Sequence, residues 1–206
     1  MKKVIKKILH RLYLIGLNEE ILKKNERRTD EINGEATVGE GVVFGPGARV
    51  MNHQLDKSKV KVGNSSIIMG DLLTFNHGGE IAIGEYCFLG EQSRIWSAGK
   101  ISIGDRVLIS HNVNIHDNNS HSLDPQVRNR EFIYSYTHHS PMPNSSLTAS
   151  AIVIEDDVWI GFNSTILKGV RIGRGAIIGA CSLITADVPP HAVIIGNPER
   201  IIKFIA

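Results

Sequence analysis

From Ile154 onward the chain places isoleucine at every sixth position: Ile154, Ile160, Ile166, Ile172, Ile178 and Ile184. The next residue is often glycine (Gly161, Gly173, Gly179), and the fourth after each isoleucine is small or β-branched: Val158, Ser164, Val170, Ala176, Ser182, Val188. The same frame runs through Ile103, Ile109, Ile115, through Ile83, Leu89, Ile95, Ile101, and more loosely through Ile32, Val38, Phe44, Val50. These blocks are out of phase, so loops or slips separate them. An amphipathic helix repeats its apolar residues at three and four, and a half-buried strand at two. A hexad fits neither. It suits a short flat strand followed by a corner, and stacked units of this kind make a parallel β-solenoid with aligned isoleucines inside. Glycine is expected to supply the positive φ of the corners. A β-sandwich, with turns every 8–12 residues or so, does not produce this period.

Composition agrees. The 206 residues include 20 Gly, while aromatics make up only 6%, which leaves the core to branched aliphatics. A formal charge of +2 gives no reason to expect nucleic acid, but it is unevenly placed: residues 1–28 hold nine Lys and Arg against three Glu. Two cysteines, Cys87 and Cys181, argue against a disulfide framework and for a reducing compartment. No apolar run reaches the ~20 residues of a membrane span, and MKKVIKK is not followed by a cleavable signal pattern. The expected location is the cytoplasm.

Three stretches leave the repeat. Residues 1–28 read as a basic amphipathic helix with Val4, Ile8, Leu12 and Ile15 on one face. It is expected to pack on the open end of the solenoid, the second reading being peripheral contact with the inner face of a membrane. Residues 29–206 form the solenoid domain, with a loop at Met51–Lys59 and a long loop insertion at 117–151. Pro141 and Pro143 limit regular structure there, and solenoid insertions often form the binding face.

These hexads resemble the [LIV]-G-x-x-[STAV]-x repeats of the left-handed β-helix acyltransferases. The resemblance is most specific at Val158–Trp159–Ile160–Gly161, at Ile166–Leu167–Lys168–Gly169–Val170–Arg171–Ile172–Gly173 and at Gly196–Asn197–Pro198. That order is similar to the O-acetyltransferase branch, with its galactoside, maltose and polysaccharide acetyltransferases. The resemblance implies an all-β fold, a left-handed parallel β-helix of triangular coils. It also implies a homotrimer, with acetyl-coenzyme A as co-substrate between neighbouring subunits and a saccharide as acceptor.

Transfer of an acetyl group to a hydroxyl needs a base, donors for the oxyanion and two aligned substrates. His suits the first role. The segment Ile115–Asp124 crowds His, Asp and Asn where the insertion begins. His121 best matches the family's catalytic histidine and is the expected base, with Asp117 or Asn119 orienting its ring. The resemblance places Trp159 beside the acceptor, and Arg128 and Tyr134 of the insertion join it as candidate acceptor ligands. It assigns Gly161, Ala180, Thr185, Arg200 and Lys203 to the cofactor. Ala186 stands where the family often has lysine, so part of the phosphate binding must come from elsewhere, with Lys168 or Arg174 as candidates.

Two alternatives stand beside O-acetylation: N-acetylation of an amino sugar nucleotide, and a metal-dependent lyase like the solenoid carbonic anhydrases. His111, His116 and His121 invite a metal, but a spacing of five matches neither hexad nor coil, so no metal is expected.

Overall fold

The computed structural model describes residues 32, 34–139, 142 and 147–205. The basic segment 1–28 lies outside the described residues. Strands of two to five residues fall into three sheets, and the chain visits them in rotation. We name them A (from Thr37–Val38), B (from Val43–Phe44) and C (from Arg49–Asn52). Neighbouring strands within each sheet are parallel and come from successive coils, except that the last strand, Arg200–Phe204, folds back antiparallel on Ala192–Ile195. This is the expected triangular β-helix.

The register brings the hexad residues into three inner columns. Val38, Val62, Ile83, Ile103, Ile154 and Ile172 stack in sheet A. Phe44, Ile68, Leu89, Ile109, Ile160, Ile178 and Ile194 stack in sheet B. Val50, Leu72, Ile95, Ile115, Ile166 and Ile184 stack in sheet C. Most are at least 95% buried. Removing one such isoleucine side chain down to alanine is expected to cost about 2–5 kcal/mol.

Glycine's role at the corners differs from the expectation. Gly39, Gly63, Gly84 and Gly104 follow the sheet A column, and none has a positive φ. A Cβ on Gly63 would lie 2.6 Å from the carbonyl carbon of Gly84, so it is the closeness of the next coil that excludes a side chain. The left-handed residue comes two positions later and is usually not glycine: Ser65, Tyr86, Gln92, Arg106, Asn112, Asp157, Asn163 and Cys181.

The departures from the hexad collect on one edge of the prism. Where sheet C turns into sheet A, 12 residues separate Val50 from Val62, 11 separate Leu72 from Ile83, eight separate Ile95 from Ile103 and 39 separate Ile115 from Ile154. Each loop leaves from a buried polar residue at the end of a sheet C strand: Asn52, Thr74, Ser97 and Asp117. The Thr74 hydroxyl donates to Asn52 Oδ1 (2.9 Å), and the Ser97 hydroxyl donates to Asp117 Oδ2 (2.6 Å).

The long insertion is more ordered than expected. It contains a helix, α1, over Pro125–His138. Asp124 caps it by accepting from Gln126 N and Val127 N, Pro125 starts it, and the left-handed His139 ends it. Pro141 and Pro143 lie beyond its end and do not limit it.

Candidate functional site

His121 sits four residues beyond Asp117, at the root of the insertion on the C–A edge. Its ring is exposed and makes no hydrogen bond or ring contact with the described residues. Its backbone is held, with the His121 N–H donating to Asn119 O at 2.7 Å.

Asp117 does not orient that ring. Its carboxylate is fully buried and accepts from Ser97 Oγ (2.6 Å), Ala98 N (2.8 Å), Gly99 N (2.9 Å) and Asn118 Nδ2 (3.0 Å). Four donors occupy both oxygens. Asn119 meets His121 through its backbone carbonyl.

The three evenly spaced histidines go to three places. His111 stacks on Phe162 at the B–C corner, with centroids 5.2 Å apart, and His116 stacks on Trp96 of the preceding coil at 4.9 Å. Burial and the Arg94 cation hold the His116 imidazole below its usual range, against the weaker opposite pull of Asp117. Among the described residues no group of three or more His, Cys, Asp or Glu converges on a point.

In helix α1, Arg128 braces the insertion's root by donating to Ser122 O (2.9 Å), and Tyr134 stacks on His138 (4.0 Å). The helix is inverted for a packed one. Phe132, Ile133 and Tyr136 are exposed, while Glu131 is buried, with Oε1 lacking a hydrogen-bond partner among the described residues. Sequence reasoning passed over Glu131, since a lone acid on a polar helix gives no signal.

Trp159 is half exposed on the outer side of sheet B, in register with Leu108 and Ile177. Sheet B is the face opposite the C–A edge, so one chain does not bring Trp159 to its own His121.

Gly161 and Ala180 meet at the B–C corner of successive coils, where a Cβ on Gly161 would lie 2.6 Å from Ala180 N. The Gly161 N–H is engaged, donating to Ile178 O at 2.7 Å. Ala180 N–H donates to no described group. Arg200 and Lys203 lie on the terminal strand of sheet B, three strand spacings beyond Ile160, or about 14 Å at the usual inter-strand distance. Thr185 stands apart, at the C–A edge. Its N–H (3.0 Å) and hydroxyl (2.6 Å) both donate to Glu199 Oε1, which holds that carboxyl below the usual range. Arg174 is tied up in ion pairs with Asp156 and Asp157, whereas among the described residues Lys168 donates only to Thr148 O, at 3.5 Å.

Comparison with known proteins places this geometry. Residues 151–186 match the family described as bacterial transferase hexapeptide (six repeats), and residues 80–116 match the hexapeptide repeat of succinyl-transferase. A 2,3,4,5-tetrahydropyridine-2,6-dicarboxylate N-acetyltransferase of Staphylococcus aureus is 54% identical over 56 residues, 27% of this chain and 23% of the relative. The match thus spans less than a quarter of that relative's length. Among solved structures, a maltose O-acetyltransferase from Clostridium difficile is 28% identical, with 98% of this chain and 84% of the other covered at a TM-score of 0.57. AntD, an N-acyltransferase from Bacillus cereus crystallised with dTDP and coenzyme A, shares the fold at 21% identity, with 92% and 90% covered and a TM-score of 0.64. With its hexad columns, short parallel coils and matching repeats, the chain carries hexapeptide repeats of the bacterial transferase type and is similar along its length to a solved maltose O-acetyltransferase.

Proposed function

We propose that this protein is an acetyl-coenzyme A-dependent acetyltransferase whose acceptor is a hydroxyl of a saccharide. One observation carries the reading: His121 presents an exposed, uncommitted imidazole from a fixed backbone, on the edge where the loops gather. In the step proposed, the imidazole takes the proton of the acceptor hydroxyl as its oxygen attacks the thioester carbonyl. The tetrahedral intermediate collapses with the carbon–sulfur bond breaking, and the imidazolium returns the proton to the departing thiolate. Ala180 N–H is a donor available at the B–C corner, where the resemblance puts the thioester, and Gly161 serves there by lacking a side chain. Arg200 and Lys203 supply cations for the phosphates further along. Coenzyme A and acetyl-coenzyme A are bound by structurally similar proteins, AntD and a Vibrio cholerae acetyltransferase.

The separation of His121 from Trp159 supports a site shared between copies, consistent with a trimer in which Trp159 of one chain borders the acceptor held at His121 of the next. Among the described residues no helix is long and apolar enough to cross a membrane. A cytoplasmic location goes with this reading.

The second reading, transfer to an amine, is favoured by the N-acetyltransferase match over residues of this chain and by the AntD fold. Incubation with labelled acetyl-coenzyme A and a panel of neutral saccharides, glycan precursors and amino sugar nucleotides separates the two. Ester formation on the neutral saccharides is expected. Amide formation alone overturns the hydroxyl assignment, and full activity after His121→Ala overturns the base.

A further inference from the structure

Nothing in the polar contacts of His121 explains how the imidazole is aimed, because its ring makes no hydrogen bond or ring contact with a described residue. The backbone around it does. Asn118 is 93% buried, next to the fully buried Asp117, and its side chain is used at both ends. Its Nδ2 donates to Asp117 Oδ1 (3.0 Å), and its Oδ1 accepts from Ser120 N (2.7 Å). Asp117 in turn is fixed on the preceding coil by Ser97 Oγ, Ala98 N and Gly99 N. Ser120 is held in the left-handed region at φ 62°, a conformation that a non-glycine residue adopts only when its surroundings impose it. Asn118 also bridges to Ala149, and Ser150 N donates to Asp117 O (2.8 Å), so the outgoing and returning legs of the insertion are joined at this point.

We propose that Asn118 is the positioning residue of the site. Anchored on Asp117, it sets the left-handed turn at Ser120 and thereby the direction in which His121 leaves the coil. This inference rests on the reading of His121 as the base. It replaces an acid oriented against the ring with a buried carboxylate that acts two bonds away, through an amide and the main chain. A side chain that both donates and accepts is required at 118. Alanine does neither. Serine does both, since its hydroxyl accepts from the N–H two residues on, as in the turns that Ser and Asn share, and donates its own proton.

The test compares Asn118→Ala and Asn118→Ser with the unaltered full-length protein. Acetyl-coenzyme A turnover is followed by thiol release, together with amide hydrogen exchange at Ser120 and His121 and the thermal midpoint. For Asn118→Ala the expected result is faster exchange at both amides and a kcat lower by about ten- to a hundredfold, with KM for acetyl-coenzyme A little changed. Asn118→Ser is expected to recover most of both. A purely structural role would instead lower the midpoint and leave kcat per folded molecule unchanged, and that result overturns the proposal. So does unaltered exchange at Ser120 in Asn118→Ala. His121→Ala tested in parallel keeps the two ideas apart: if it retains turnover, the base assignment falls, while the exchange data still decide whether Asn118 sets the turn.

Discussion

His121 and Trp159 lie on opposite sides of one coil stack, His121 at the edge between sheets C and A and Trp159 in the middle row of sheet B. If both serve one reaction, they come from different chains. His121→Ala and Trp159→Ala proteins, each impaired alone, should regain activity when co-assembled, because some interfaces then join an intact His121 to an intact Trp159. Activity is measured on the co-expressed mixture against each pure variant. A mixture no better than the mean of the two would place the whole site within one chain.

Trp96 and His116 are stacked, with the indole Nε1 and the imidazole Nε2 both buried and without a hydrogen-bond partner among the described residues. Burial keeps His116 neutral in the fold, below its ordinary 6.5. As pH falls below that value the unfolded chain takes up a proton that the folded one refuses, so stability is full above it and declines towards the lowered folded value. Denaturant midpoints measured from neutral pH downwards should show this loss, and His116→Leu should flatten it. Asp157, beside Arg106, and Glu199, under the Thr185 hydroxyl, are held below their ordinary 3.8 and 4.5. Their contributions are therefore lost in a separate, more acidic window.

The two cysteines should differ sharply. Cys87 is buried, its thiol donates to Gly104 O at 3.1 Å, and burial pushes it up to about 11. Only the thiolate reacts. At mildly alkaline pH a thiol reagent should titrate one cysteine in the native protein, the exposed Cys181, and both after unfolding. Rapid native reaction at Cys87 would mean that the coil opens around it.

The isoleucine columns were legible because a period that repeats in three dimensions must repeat in sequence. What the hexad hides is the reason for each of its other letters. Gly63 and Gly84 look like turn glycines, yet they answer to the backbone of the next coil, a contact between residues about twenty positions apart. The turn itself is carried by residues such as Tyr86 and Arg106, whose types give no sign of a positive φ. Helix α1 had a readable start in Asp124–Pro125, but Pro141 and Pro143 drew attention instead, although the helix closes before them. His121 stands out in the sequence because it breaks a repeat. Asp117 was found for the same reason and given the wrong contact, since its partner Ser97 lies one coil away.

That division of labour between close-approach glycines and left-handed corners makes the last prediction a pair with opposite signs. Gln92 is exposed, has φ 61° and makes no side-chain hydrogen bond with a described residue. Gln92→Gly removes the cost of a left-handed side chain but loosens the unfolded chain, so it should be neutral to stabilising, by up to about 1 kcal/mol. Gly63 has no positive φ, and a Cβ there would meet Gly84 C, Gly84 O and Glu85 N at 2.6, 2.7 and 2.8 Å. All three are backbone atoms, which no rotamer change relieves. Gly63→Ala must therefore push two coils apart and should destabilise by about 1–3 kcal/mol, despite replacing a residue that normally weakens a strand. Urea midpoints of the two variants decide the matter. If Gly63→Ala is tolerated as well as Gln92→Gly, the spacing between coils is softer than the stacked glycines require.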